Sequence, residues 1–353
     1  MAAEWRYMPI LKWKQGEQLA LRNLSSEQWK GISPLIELVA IDVAPVGVAL
    51  RAALPSYLDK AAAKMTGCIP GQVPVCVDSC YVSPSYPQQL NLLMSICTYL
   101  QKKRSVDVVP VIHAAETEAL GTLSATHIDF LKGLPSVVLR LKIGQIEPSQ
   151  VDASIEALVA VGVVKTNIHL LIDQYSLVGR QPVECMGIVG PYLNQAAGAG
   201  CGSLTVAGGS FPVNLMGIAQ GVSDIPRVEW KVWELLKGTG KYPGLRYADY
   251  AVTNPEPPPD LDPTKINMSI TIRYASNDFW RLYKGRGFKS GVPGEYRNLC
   301  ALLVMDPIYS GGTFSYGDMQ YMAASGGGEK NGNPMSWRKE ATNHHIVLTS
   351  RLL

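Results

Sequence analysis

Eight times over about 250 residues, a short apolar stretch with strand character is followed by a stretch that reads as helix, and this alternation constrains the fold most. The strand segments are residues 8–14, 33–40, 73–80, 107–114, 136–143, 167–174, 202–208 and 244–254. They are dense in Val, Ile and Leu, as expected for strands covered on both faces. Helices are expected over 25–31, 46–65 with a bend at Pro55, 86–104, 124–133, 148–161, 183–198, 213–221 and 229–237. Ser25-Ser26-Glu27-Gln28 has capping-box form, Pro87 falls in a first turn, and Lys102-Lys103-Arg104 falls at a helix end, where cations favour the dipole. The stretch from Gly16 to Asn23 reads as a loop. Strand–helix alternation implies right-handed crossovers and a parallel sheet. Eight units at this length predict an α/β fold, a (β/α)8 TIM-type barrel over 1–254. An open doubly wound sheet is the competing arrangement, and the strand count decides against it.

The pattern changes after residue 254. A proline-rich stretch, 255–265, reads as a linker, and 266–353 as an α+β segment packed on the barrel. Within that segment 266–275 alternates strictly and 279–285 is a partner for a hairpin. A helix is expected over 294–305, and W-R-K-E-A is helical ahead of an apolar end, I-V-L-T-S-R-L-L. Hydrophobic residues make up 47% and charged residues 17%, which fits a globular chain with a large core. A formal charge of +3 is too small for bulk attraction to nucleic acid, so any basic patch must be local. The most apolar region, 35–54, is broken by Glu37, Asp42, Pro45 and Arg51, so no membrane span is expected. The start, M-A-A-E-W-R-Y, lacks the apolar core of a signal peptide. Seven cysteines without a C-x-x-C pair fit reduced thiols, so the expected location is cytoplasmic.

The chemistry-bearing residues gather where strands end. Ser136–Ile143, S-V-V-L-R-L-K-I, puts Val137, Leu139 and Leu141 on one face and Val138, Arg140 and Lys142 on the other. Two cations on a buried strand require carboxylate partners or an anionic ligand. Lys12 and Lys14 close the first strand in the same way, and the other strand ends supply Glu37, Asp78, His113, Asp173, Gly208-Gly209-Ser210 and Asp249. Barrel active sites are built from such ends at the carboxyl face. In an enzyme of this kind Lys12, Glu37, Asp78, His113 and Asp173 are the catalytic candidates. His113 and the acids would handle protons or a divalent metal, while Lys12 joins the ligand-binding cations in stabilising charge. Lys14, Arg140, Lys142, Gly208, Gly209, Ser210 and Asp249 are the ligand-binding candidates. The glycine turn is a phosphate cradle if a helix follows it, and a plain tight turn otherwise. Arg273, Arg281, Lys284 and Arg286 interleave with Tyr274, Phe279, Trp280 and Tyr283, a pattern shared by single-strand-binding surfaces and ordinary amphipathic hairpins. Of Asn343-His344-His345, read as strand, one histidine is expected at a site and the other in solvent.

Three further stretches carry a resemblance: Y-M-P-I-L-K-W-K-Q-G-E near the start, I-S-P-L-I-E-L after it, and F-S-Y-G-D followed by G-N-P-M-S-W-R-K-E-A-T-N-H-H-I near the end. Together they resemble the beta family proteins of bacterial and phage genomes, often found near anti-phage defence genes. The resemblance implies a prokaryotic or phage setting and a part in phage–host conflict, with a defence-system protein as one partner class. It assigns no reaction. Two readings therefore stand: an anion- or phosphate-binding barrel of the phosphoester hydrolase or nuclease kind, and a non-catalytic interaction or sensor protein.

Overall fold

The computed structural model describes residues 5–41, 48–256, 269–287, 289, 294–327 and 332–353. The chain starts with β1 (Tyr7–Lys12) and α1 (Gln15–Arg22), then β2 (Leu35–Glu37), α2 (Val48–Cys68), β3 (Val75–Asp78) and α3 (Gln89–Arg104). It continues with β4 (Val108–His113), α4 (Ala125–Lys132), β5 (Val137–Lys142), α5 (Val151–Ala160), β6 (Ile168–Ser176) and α6 (Pro182–Ala197). After β7 (Ser203–Gly209) come β8 (Gly221–Pro226), α7 (Val228–Gly238) and β9 (Arg246–Asp249). The remaining elements are β10 (Ser269–Ala275), β11 (Phe279–Gly287), α8 (Glu295–Met305), α9 (Tyr316–Ser325) and α10 (Pro334–Leu352).

β1 to β7 and β9 form a closed, all-parallel eight-stranded barrel, with β9 hydrogen-bonded to both β7 and β1. This is the (β/α)8 barrel that the alternation predicts. Strand parity sorts the side chains. Met8, Ile10, Leu35, Cys76, Val109, Val111, Val138, Leu171, Ala207 and Ala248 fill the interior. Leu11, Ile36, Val77, Ile112, Leu139, Leu141 and Ile172 face the helices. The amino end is sealed by Trp5, which lies over the Arg246 guanidinium at 4.9 Å and against His169 at 4.5 Å. Burial lowers His169 to about 4, and its ring lies between the hydroxyls of Ser203 and Ser136. Only the carboxyl end of the interior is left for chemistry.

β8 leaves the barrel. Residues 211–220 run in turns instead of the expected helix, and Gly221–Pro226 pairs with β11 in a second sheet of order β10-β11-β8. β10 and β11 form the hairpin predicted from their alternation. Its rings are core, with Tyr274, Trp280 and Tyr283 almost fully buried. Arg281 is paired with Asp224 and Asp306, and Lys284 donates to the carbonyls of Leu215 and Ile218, so this is the amphipathic hairpin reading of the pattern.

The last twenty residues do not divide into a helix and a strand. α10 is one helix, opened by an Asn333 cap, and it occupies the position of the barrel's eighth helix. It packs on α1 and β1, and Asn343 donates to the Ala20 carbonyl at 3.0 Å. Ile346 and Val347 join the helix–barrel core. α9 approaches so closely that a Cβ on Gly317 would stand 2.2 Å from the Glu340 carbonyl, which only glycine permits. Both His344 and His345 are fully buried, contrary to the expectation of one solvated ring. His344 is 2.8 Å from Asp318, and His345 bonds Asp249 at 2.7 Å. The layer from β10 to α9 thus sits between the eighth strand and the eighth helix. The barrel lends it β8, and its last helix returns to the barrel. Most of the expected linker, 257–265, lies outside the described residues.

Because α10 belongs to the barrel's own wall, His345→Ala should lower the stability of the whole chain. It leaves the buried Asp249 Oδ2 without its hydrogen-bond partner and opens a void, at a cost of about 2–4 kcal/mol in urea unfolding. A single shifted transition is expected. A barrel transition left unchanged beside a separate small one would show that α10 belongs to the layer alone.

Candidate functional site

In-register pairing brings the strand ends to one level. Lys12 is opposite Glu37, Glu37 opposite Asp78, His113 opposite Arg140, and Lys142 opposite Asp173. All of them share the inward parity, so all meet inside the mouth. At the centre is Arg140, 2% exposed. Its Nε and Nη2 donate to Asp173 Oδ2 at 3.0 and 2.7 Å, and Nη1 donates to Glu37 Oε1 at 3.0 Å and Asp78 Oδ2 at 2.6 Å. Nη2 also donates to the Tyr250 hydroxyl at 2.5 Å, which in turn donates to Asp173 Oδ2 at 2.6 Å. A guanidinium has five N–H donors, and these five bonds use them all. Both sequence alternatives for Arg140 were open, and the carboxylates take it.

Burial alone would push these acids toward the neutral form. For Asp78 that push is overcome by His113, which bonds its Oδ2 through Nε2 at 2.8 Å, and by Arg140, so the carboxyl is held well below its usual range. Burial also works against Asp173, where Arg140 and the Tyr250 hydroxyl more than reverse it. Glu37 is the exception. Burial raises it, Arg140 only partly opposes the rise, and Oε2 has no hydrogen-bond partner among the described residues.

The lysines lie around this core. The Lys12 ammonium donates to the carbonyls of Asn254, Pro255 and Glu256 at 2.9–3.1 Å, tying the chain after β9 across the mouth. Tyr81 adds a bond to the Pro255 carbonyl at 3.2 Å. Lys142 lies 3.4 Å from the centroid of the Tyr175 ring, with no carboxylate within 4 Å among the described residues. Burial lowers both ammonium groups.

Five expected members stand outside the Arg140 cluster. Asp249 has the opposite parity from Tyr250 and points outward, bonded to Tyr7 at 2.7 Å and to His345. Gly208 is outward too, packed under Leu177 and Glu229, while a Cβ on Gly209 would meet Pro255 at 2.9 Å. Ser210 is buried beside Glu229. No helix follows this turn, because the next element is β8, so the turn has no helix N-terminus to cradle a phosphate. Lys14 is exposed just past β1, at the cap of α1.

Lys14 belongs instead to a cavity of about 90 Å³ beside the mouth, between α1, α10 and β10. Lys12, Glu17, Asn254, Arg273 and Arg338 also line it. Arg338 is 3.7 Å from the buried Glu17. Arg273 stacks over Phe211 at 4.6 Å and donates to the Val252 carbonyl at 2.8 Å, but no carboxylate lies within 4 Å of it among the described residues. Burial, with Arg338 adding to it, lowers its guanidinium to about 9. The alternation of β10 was visible in the sequence, but the meeting of Arg273 with Lys14 across the fold was not. Tyr250 could have been found by parity, since Ala248 and Tyr250 share a face that Asp249 does not.

The model of the Beta protein family matches residues 7–351, almost the whole described length. The chain belongs to this family. No curated protein matches it. Among solved structures, this family member is similar to a dihydropteroate synthase from Anaplasma phagocytophilum, crystallised with 6-hydroxymethylpterin-monophosphate. Identity is 12% and the TM-score 0.33, over 71% of this chain and 94% of the other, a likeness too low to carry any inference about ligand or reaction. No helix among the described residues is long and apolar enough to cross a membrane.

Since Arg140 is half of a buried ion-pair group, Arg140→Ala should strand three acids and cost about 3–5 kcal/mol, read by urea unfolding at pH 7. An unchanged or higher midpoint would contradict the pairing. The Asp173 carboxyl is depressed in the fold, so its contribution is complete above the unfolded value, about pH 4, and is lost as pH falls below that. Asp173→Asn should therefore be clearly less stable than the parent at pH 7, with the gap narrowing by pH 3. A gap independent of pH would mean that the carboxylate charge does not matter.

Proposed function

We propose that the chain is an anion-binding barrel. It takes a small phosphate-bearing ligand in the cavity between Lys14, Arg273 and Arg338, and acts in phage–host conflict as a sensor or recognition protein. The observation that supports this reading is Arg273, a largely buried guanidinium that has no carboxylate within 4 Å among the described residues and lines a cavity with Lys12, Lys14 and Arg338, against the acids Glu17 and Glu256. A cation in that position costs free energy in the empty protein, and an anion offsets that cost. Lys14 stands at the amino end of α1, where no side chain caps the backbone N–H groups, and such ends favour anions. The setting in phage–host conflict rests on the family resemblance.

The phosphoester hydrolase reading is supported by a different observation, the Asp78–His113 pair at the mouth, in which His113 is 13% exposed. It is the weaker of the two because Arg140, the residue best suited to stabilise charge on a reacting phosphate, has every donor engaged within the protein.

Phosphate, sulfate or a mononucleotide at a hundredfold excess over Kd should stabilise the fold by about 2.7 kcal/mol, a rise of about 4 °C in Tm for a chain of this size. Arg273→Met should abolish the rise while Arg281→Met, on the far side of the hairpin, retains it, and neutral sugars should give none. A flat response to phosphate, nucleotides and short single-stranded DNA would remove the anion site and leave a protein partner as the ligand. Phosphate release from generic phosphoesters would instead establish the hydrolase.

A further inference from the structure

Glu37, Asp78 and Asp173 are all turned onto Arg140, whose guanidinium takes the place of a cation among them. A different donor set lies on the other side of Asp78. Cys80 follows it by two residues at the end of β3, and His113 ends the neighbouring strand β4. One ligand atom from each of Asp78, Cys80 and His113 lies within 4.8 Å of the others. The geometry points to a transition-metal site here, with zinc the best fit, held by the Asp78 carboxylate, the Cys80 thiolate and a His113 ring nitrogen. This inference does not depend on the anion cavity.

Several features support the assignment. Ligand atoms on one tetrahedral zinc stand about 3.3–3.8 Å apart, given bonds of about 2.0–2.3 Å. The widest pairs therefore close by up to about 1 Å, while His113 Nε2 and Asp78 Oδ2, 2.8 Å apart in a hydrogen bond, open to admit the ion. The mixed thiolate, imidazole and carboxylate set is softer than the all-oxygen shell that magnesium or calcium prefers. The supporting contacts of a ligated carboxylate are in place: the Cys80 backbone N–H donates to Asp78 Oδ1 at 2.9 Å, and Arg140 donates to Oδ2. Asp78 is buried, while Cys80 and His113 are each partly exposed, so the cluster can be reached from solvent. Three protein ligands and one open position is the pattern of a reactive zinc site, whereas structural sites are closed by four.

The nearby cations, Arg140, Lys12 and Lys142, do not veto a dication. Binding breaks the Cys80 S–H bond and the His113–Asp78 hydrogen bond and forms metal–sulfur, metal–nitrogen and metal–oxygen bonds; the thiol proton goes to solvent, and so does a second proton from His113 where the ring is charged. The two negative ligands then balance the two charges of the ion. A free thiol is protonated at pH 7, so at least one proton must leave for each ion bound.

The test uses full-length protein stripped with a chelator and titrated with Co²⁺, then with Zn²⁺ in competition. One equivalent of Co²⁺ should bind with a thiolate-to-metal charge-transfer band and the strong visible bands of tetrahedral cobalt. At least one proton should be released per ion, and Zn²⁺ should displace the cobalt. Cys80→Ser should remove the charge-transfer band, and His113→Ala should weaken binding by at least about tenfold. Both variants keep the Arg140 carboxylates, and their metal-free melting curves check that they fold. No band in the parent overturns the site. So does a band that persists in Cys80→Ser, which would place the thiolate at another of the seven cysteines, or binding unaffected in His113→Ala.

Discussion

The mouth of this barrel depends on one guanidinium and the three carboxylates that surround it. Taking an arginine and three acids out of water is costly, and their attraction repays the cost only when every donor is matched. Here the matching is complete on the arginine, and a tyrosine hydroxyl bridges it to Asp173. The acids come from β2, β3 and β6, the arginine from β5 and the tyrosine from just beyond β9, so the cluster ties together ends far apart around the ring. Below it the interior is apolar, and non-directional contacts among Met8, Ile10, Leu35, Val138 and Leu171 specify register weakly. A slip by one residue would turn Arg140 into the helix layer, so the polar cluster supplies the specificity that the apolar layer lacks.

The same pairing decides where chemistry can occur. With Arg140 consumed, the remaining reactive groups are at its edges. On one side stand Asp78, Cys80 and His113, and on the other the cavity of Lys14, Arg273 and Arg338. Lys12 lies between, holding the carbonyls of 254–256 across the mouth. The saturated centre is a scaffold, and the two flanking places are those proposed above for an anion and for a transition metal. The second sheet contributes directly, because Arg273 comes from β10, and α10 carries Arg338 while closing the barrel.

Much of this was legible in the chain. Strand period and strand count carry the barrel, and the inward parity of Val138, Arg140 and Lys142 is visible in residues 136–143 because a two-residue period leaves no choice once one face is buried. What stayed hidden depended on tertiary context. α1 begins with Lys14, Gln15 and Gly16, a weak helical signal, and is held by packing against α10. β8 is an exposed segment with hardly any apolar period of its own, made a strand by pairing with β11. The end of α10 reads as strand because Ile346, Val347, Leu348 and Thr349 are β-branched or apolar on every side, and a helix wedged between barrel and layer has the same composition. Asp249 ends its strand but has the parity opposite to Ala248 and Tyr250, so it faces the helices and not the mouth. Whether Arg140 met acids or a ligand could not be decided by local pattern at all, since both leave the same two cations on the strand.

The central claim is that Arg140 and its acids form one interdependent unit, and a double-mutant cycle tests it most directly. Arg140→Met, Asp173→Asn and the pair together would be unfolded in urea at pH 7, a pH at which Asp173 is fully charged. The account predicts that the two substitutions are far from additive, the double variant being more stable than the sum of the singles by about 2–3 kcal/mol. Additivity within about 0.5 kcal/mol would mean that the two side chains act independently, and would contradict a barrel mouth organised around this arginine.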